Sequence, residues 1–299
     1  MQIKNNHSNY LQNPWFTWTF KVLITLGCLY FLISKLRDQP ISLDHFFVPN
    51  RFVLNLTIVI ALMIVNWYLE ALRWKISVDL FEEISMNDAW RAVLGGLALN
   101  WVLPLTSGDL LARISQQKDK YQATSAAILN RGIMLVLTLC FGLYGISFLA
   151  IQYDFNGWFL LVILFGIPLL RILFRKSINR FSTYFQELAK SLLIKVVALS
   201  LLRYGVFVFQ FYLLLVIFLP SLSANLLIAG IGWVFLIRSA LPLFFGGIGV
   251  REASGILFFK PHVDNLQLII VPVFLIWVIN TVIPSLVGLF FIWKMKSSK

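Results

Sequence analysis

Leu241-Pro242-Leu243-Phe244-Phe245-Gly246-Gly247-Ile248-Gly249-Val250-Arg251-Glu252 sits midway in an apolar region spanning residues 226–259, and it cannot cross a bilayer as one helix. Proline deletes a backbone donor and clashes with the preceding turn, and three glycines in four residues loosen the chain beyond it. A second break, Leu103-Pro104-Leu105-Thr106-Ser107-Gly108-Asp109, divides residues 89–118 in the same way. Irregular backbone at membrane depth is tolerated only where protein or a watery cavity surrounds it. Each region therefore reads as a broken helical hairpin.

Around the breaks run uncharged or nearly uncharged stretches near residues 16–36, 52–72, 122–150, 157–174, 192–218 and 266–293. A helix needs about 20 residues to cross a hydrocarbon core of roughly 30 Å. Of 299 residues 59% are apolar and 13% charged, and mean hydropathy is +0.83. No water-soluble globule of this size buries that much apolar surface. The expected fold class is all-α: a polytopic membrane protein with six full transmembrane helices and two broken re-entrant hairpins, forming a single membrane domain over residues 1–299.

The 25 Lys+Arg against 13 Asp+Glu give a formal charge of +12. In a soluble protein this excess would suggest nucleic acid as a partner, but here it gathers in short loops beside the spans and reports topology instead. Cys28 and Cys140 both lie in apolar stretches, which leaves no disulfide framework and no metal site of the CxxC type. The apolar run from Val22 to Ile33 is followed by Ser34-Lys35-Leu36-Arg37 rather than by a small-residue cleavage site, so it reads as a retained span.

Placing the Arg-rich segment from Arg171 to Lys190 in the cytoplasm puts both termini inside, with 17 basic residues inside against four outside. The first hairpin then opens to the cytoplasm and the second opens outward. Each half reads span, span, hairpin, span, from about 16 to 150 and from about 157 to 293, which is the pattern of an inverted repeat. Between Arg175 and Lys190, Ile178, Phe181, Phe185 and Leu188 recur at helical spacing with the basic residues mostly off that stripe. That segment is expected to lie on the cytoplasmic membrane surface.

Charges at membrane depth are costly, about 2.5–3.5 kcal/mol each on insertion scales, and so mark partners or function. Asp109 and Arg113 follow the first break, Arg251 and Glu252 follow the second, and Arg131, Arg203 and Arg238 lie within helices. Arg238 is some 13 residues inward from Asn225, about 20 Å at 1.5 Å per residue, too deep for easy snorkelling. The Thr106-Ser107-Gly108 and Gly246-Gly247-Ile248-Gly249 turns each open a helix whose free N–H groups suit an anion. The competing readings are ion pairs, Asp109 with Arg113 at i,i+4 and Arg238 with Glu252 or Asp109 among them, and glycines that merely let helices touch. Gly95-Gly96 and Gly142 with Gly145 read as packing contacts. The sequence contains no GxxxxGK[ST], HExxH or GxSxG motif, and His7, His45 and His262 are isolated in tails or loops. No catalytic group, metal or cofactor is expected.

Leu69-Glu70-Ala71-Leu72-Arg73-Trp74, the stretch from Leu103 to Arg113, Arg131 at the start of a span, and Pro242 through Gly246-Gly247-Ile248-Gly249-Val250-Arg251-Glu252-Ala253 together resemble the transmembrane region of lysylphosphatidylglycerol synthases, a flippase-like membrane domain. The likeness runs over nearly the whole chain. It implies a lipid-translocating bundle in which Gly108, Asp109, Arg113, Arg131, Gly247, Gly249, Arg251 and Glu252 frame a headgroup site. The chain departs from the family pattern at Thr106, where a basic residue is frequent, and at Asn130, where an acid is frequent. Nothing after Trp293 would supply the aminoacyltransferase domain, so lipid aminoacylation is not expected.

The function expected is a flippase or transporter for an anionic phosphate-bearing lipid, a phospholipid or an isoprenoid-phosphate-linked one, in a bacterial inner membrane. Its partners would be membrane lipids, with a homo-oligomer or a glycosyltransferase or lipid-synthesis enzyme left open. The alternatives are an intramembrane enzyme or subunit acting on isoprenoid-phosphate lipid, with Asp109 and Glu252 as acid and base, and a membrane scaffold for a glycosyltransferase.

Overall fold

The computed structural model describes residues 49–101, 107–153, 190–240 and 249–297, with Leu26, Tyr30, Ile33, Ser34 and Arg37. Regular structure in these residues is entirely helical: α1 (Pro49–Val78), α2 (Met86–Leu99), α3 (Ser107–Ser115), α4 (Lys120–Gln152), α5 (Lys190–Phe218), α6 (Ala224–Ala240), α7 (Val250–Phe259), α8 (Gln267–Trp277) and α9 (Ile283–Ser297). A 3₁₀ turn (Lys260–His262) comes after α7, and a π turn (Val278–Val282) joins α8 to α9. The expected span at 157–174, the surface helix at 175–190, the turn residues Thr106, Gly246 and Gly247, and all but isolated positions of the span at 16–36 lie outside the described residues.

Four stretches are long and apolar enough to cross a membrane, Phe52–Val78, Lys120–Gln152, Lys190–Phe218 and Gln267–Ile292. They coincide with four of the six spans read from the sequence. α1 runs past the expected end near residue 72 because the charges beyond that point are neutralised within the helix. Arg73 pairs with Glu70 at 2.6 Å, and Lys75 reaches Asp79 at 2.7 Å and the Ile84 carbonyl at 2.6 Å.

The solvent rule is inverted in these helices. Only 22%, 17% and 17% of the apolar windows in α1, α4 and α5 are buried, while Val53, Ile64, Val136, Leu202, Phe209, Leu286 and Phe290 stand half exposed or more. The buried set meanwhile includes Asn66, Glu70, Arg73, Ser77, Asn130, Ser200 and Gln210. An exterior this apolar around a polar interior suits hydrocarbon rather than water. The molecule is a multi-pass membrane protein.

Both interrupted regions are broken where the sequence required. α2 ends at Leu99 and α3 begins at Ser107; α6 ends at Ala240 and α7 begins at Val250. In each case the two arms pack on one another. The Asn100 side chain accepts from the Asp109 N–H at 2.9 Å, filling the role of an N-cap for α3. A β-carbon on Gly108 would stand 2.4–2.7 Å from the Leu99 and Asn100 backbone, so the first elbow closes only with glycine there. The second uses Gly249 at φ 88°, whose N–H donates to the Glu252 carboxylate at 2.7 Å.

α1 and α5 pack along each other at the centre, with α2 against α9 on one side and α4 against α6 on the other. Exchanging α1 with α5, α2 with α6, α3 with α7, and α4 with α8 and α9 turns these packings into one another. The same exchange maps α1·α2 onto α5·α6, α2·α3 onto α6·α7, α3·α4 onto α7·α8, and α1·α4 onto α5·α8, every one of which is a packed pair. Glycines make the closest approaches. Gly145 meets the Ala229 carbonyl and Trp233, Gly232 meets the Phe141 carbonyl, and Gly288 meets the Leu94 carbonyl. Gly142 and Gly145 are thus packing contacts, as the sequence suggested.

Candidate functional site

Glu70 lies eight residues before the end of α1, about 12 Å along the helix from Val78. It is 3% exposed and holds three guanidinium groups. Its Oε2 receives Arg73 at 2.6 Å and Arg203 at 3.3 Å, and its Oε1 receives Arg113 at 2.7 Å. Asp109, third residue of α3, receives the Arg113 Nε on Oδ1 at 2.7 Å and Arg131 on Oδ2 at 3.1 Å. Arg113 therefore bridges the two acids, and four arginines from four helices join one network. Isolated buried charges would be expelled from such a bundle, whereas paired and hydrogen-bonded ones can remain.

Polar side chains fix the inner edge. Arg73 donates to the Ser200 hydroxyl at 2.9 Å, and Ser77 donates to the Asn130 side-chain oxygen at 3.2 Å. Tryptophan faces supply a second layer: Arg113 lies over Trp74 at 5.3 Å and Arg203 over Trp67 at 5.6 Å. The outer edge is open. The Arg131 side chain is 41% exposed and that of Arg203 is 18% exposed. Arg203 lies 13 residues after Lys190 and 15 before Phe218, about 20 Å from either end of α5. The exposed side of Arg203 thus lies midway along α5.

The second half contributes more sparsely. Arg238, in the last turn of α6, is exposed and lies within electrostatic range of Arg203. Arg251 is buried over Trp277 at 5.6 Å and lies within electrostatic range of Arg238 and Glu252. Among the described residues no carboxylate comes within 4 Å of Arg238, so the ion pair with Glu252 or Asp109 weighed from sequence is not formed. Glu252 instead turns one oxygen back to cap its own helix at Gly249.

Of the residues singled out in the sequence, Asp109, Arg113, Arg131 and Arg203 converge directly, whereas Arg238 and Arg251 make no ion pair with them within 4 Å among the described residues. Gly108 and Gly249 shape the elbows instead, and Ser107 opens α3. Glu70 and Arg73, the network's hub and inner anchor, are residues that the count of basic side chains puts at a cytoplasmic edge. Their signal is present as an acid and an arginine three apart, interrupting an apolar helix and succeeded by Trp74. No group of three or more His, Cys, Asp or Glu side chains suited to a metal occurs among the described residues.

The described residues thus form the helical bundle of a multi-pass membrane protein in which two buried acids hold four arginines. The family model described as "Lysylphosphatidylglycerol synthase TM region" matches residues 18–288, and the chain belongs to that family. No curated protein and no solved structure matches it significantly.

Proposed function

We propose that the protein carries a lipid with an anionic, phosphate-bearing headgroup across a bacterial plasma membrane, and that it does so without covalent chemistry. The arginine network supports this: guanidinium groups from α1, α3, α4 and α5 meet in the middle of an apolar bundle, with Arg131 and Arg203 at its open edge. Guanidinium binds phosphate with two parallel hydrogen bonds, and a low local dielectric strengthens each of them. Family membership agrees with a lipid as the ligand.

The headgroup would enter between the two elbows and replace Glu70 as the partner of Arg203, whose 3.3 Å contact is the longest made to that acid. The exchange-symmetric packing supports two inverted halves, each offering a broken hairpin from one leaflet. Rocking of the halves would pass the phosphate from Arg131 and Arg203 to Arg238 and Arg251 while the acyl chains stay in lipid. Both termini would then be cytoplasmic, as the count of basic residues requires.

Reconstitution into vesicles containing fluorescent phosphatidylglycerol, with a bilayer-impermeant quencher outside, tests the reading. Intact protein is expected to move label between leaflets, with the rate falling at least tenfold in Arg203→Gln and Arg238→Ala. No movement by the intact, correctly folded protein would overturn it, and movement unaffected by both substitutions would remove the arginines from the path.

A further inference from the structure

The last span differs in its backbone from α4, the helix that answers to it in the first half. α4 runs unbroken from Lys120 to Gln152, whereas Gln267–Ile292 is divided by the π turn at Val278–Val282. Turns of this kind are rare, occur mostly singly inside α-helices, and frequently mark functional positions. A proline gives this one a physical cause. In a continuous α-helix the Pro284 ring would meet the carbonyl of Asn280, four residues earlier, and the wider turn relieves that clash.

The two arms of this span belong to different parts of the bundle. α8 packs on α5 and α7, with Gly255 against Val273 and Ile269, while α9 packs on α2, with Gly288 against the Leu94 carbonyl. One hydrogen bond ties the turn itself to the first half: Asn66 of α1 donates through Nδ2 to the Asn280 Oδ1 at 3.2 Å, and both side chains are buried. The pair is neutral, so it can part without stranding a charge, unlike the pairs on Glu70. The Asn66 Oδ1 and the Trp277 Nε1 are buried with no hydrogen-bond partner among the described residues, so the present arrangement leaves polar groups unsatisfied at the turn. Contacts to both breaks flank it. Trp101, just after α2, donates to the Ser285 hydroxyl at 3.0 Å and meets the Trp277 ring at 5.8 Å, and Arg251 of α7 lies over Trp277 at 5.6 Å.

Resting on the transport reading above, we infer that the π turn at Val278–Val282 is the hinge of the last span and that the Asn66–Asn280 hydrogen bond is its latch. With the latch closed, the turn is held to α1 one helical turn before Glu70, the hub of the arginine network. Opening it lets α9 swing with α2 while α8 stays on α5 and α7. Ser285 and Trp277 stand on opposite sides of the turn, so the swing parts the Trp101 and Trp277 rings and draws the end of α2 away from Arg251. The gap between the two breaks, where the headgroup would enter, changes width as the hinge bends.

The test is a pulsed electron spin resonance distance measurement on the full-length protein in nanodiscs of phosphatidylcholine and phosphatidylglycerol. Spin labels are placed at Phe274→Cys in α8 and Leu289→Cys in α9, both exposed, with Cys28 and Cys140 replaced by serine. A second separation, minor in the intact protein, is expected to grow about threefold or more in both Asn280→Leu and Asn66→Leu. Pro284→Ala, which lets the helix close up, should abolish it. The two latch variants remove the same bond from opposite ends, so either decides if the other does not fold. No growth in a folded latch variant would overturn the inference, and a second separation that persists in Pro284→Ala would move the bend away from the π turn. Lipid movement in the vesicle assay is read separately. A span that does not bend in a protein that moves lipid overturns the hinge alone, and a bending span in a protein that moves none overturns the transport reading alone.

Discussion

The two interrupted helix pairs follow one pattern and differ in chemistry. Each packs two helices together, α2 on α3 and α6 on α7, has a proline- and glycine-bearing stretch of sequence at the interruption, and places an acid third in its second helix, Asp109 in α3 and Glu252 in α7. Asp109 looks outward from its helix and binds Arg113 and Arg131. Glu252 looks back and caps Gly249. The first hairpin is therefore wired into a charge network with α1 and α5, while the second sets Arg251 over Trp277 and carries Arg238 at the exposed end of its first arm. A shared scaffold has thus been divided into one half that holds cations on acids and another whose acid serves its own backbone.

That division is most exposed to test at the two buried acids. Removing one partner of a buried ion pair costs about 3–5 kcal/mol because the other charge is left unpaired. Glu70→Gln strips the carboxylate from Arg73, Arg113 and Arg203 together, so a loss of that size in thermal or denaturant unfolding in detergent is expected. Glu252→Gln keeps a carbonyl oxygen able to accept from the Gly249 N–H, and should cost about 1 kcal/mol or less. Equal losses in the two variants would show that both acids serve the same structural purpose and would dissolve the contrast.

The elbows differ in the same spirit and predict a smaller gap. Gly249 adopts φ 88°, a region where a β-carbon is strained, so Gly249→Ala should cost about 1–3 kcal/mol. Asn100→Ala removes only the side-chain oxygen that accepts from Asp109, worth about 1 kcal/mol for a capping group. Unfolding midpoints of the two variants order the effects. A larger loss from Asn100→Ala would mean that the first elbow depends on its cap more than on the close backbone approach at Gly108.

Local signals account for the part of the architecture legible in the sequence. The breaks at Pro104 and Pro242 are covalent facts about donors and ring sterics, the pairing of Asp109 with Arg113 comes from helical spacing, and Gly142 with Gly145 announces a close helix contact. The family resemblance, carried by the motifs around both breaks, also holds. The hub escapes such reading. Glu70 acquires its meaning from Arg113, 43 residues away, and from Arg203 in the other half, and no periodicity within one segment encodes that meeting. Counting basic residues by side also gives no sign that Arg73 is buried, since the rule presumes that an arginine near a span's end lies in water. Here an acid three residues earlier lets the helix carry it inward. Depth singles out Arg238, yet the acidic partner weighed for it does not pair with it, because Glu252 is committed to its own helix.

The smallest effects concern the space beside the cation cluster. A β-carbon at Gly132 or at Gly205 would meet no heavy atom within 4 Å, in contrast to the glycines that join α4 to α6 and α2 to α9. Both lie inside long helices, where glycine costs about 0.5–1 kcal/mol relative to alanine. Gly132→Ala and Gly205→Ala should therefore each stabilise the protein by about that amount in detergent unfolding. Their consequences for transport should part. Gly132 is partly enclosed beside Arg131, whereas Gly205 is exposed on α5. A methyl group at the first position would intrude on a headgroup resting against Arg131, and one at the second would touch only acyl chains. Lipid movement in vesicles should slow at least twofold in Gly132→Ala while Gly205→Ala stays at the rate of the unaltered protein. If both variants are stabilised and both transport at full speed, the clearance at Gly132 lies off the headgroup's route, and the path would have to run through Arg203 and Arg238 alone.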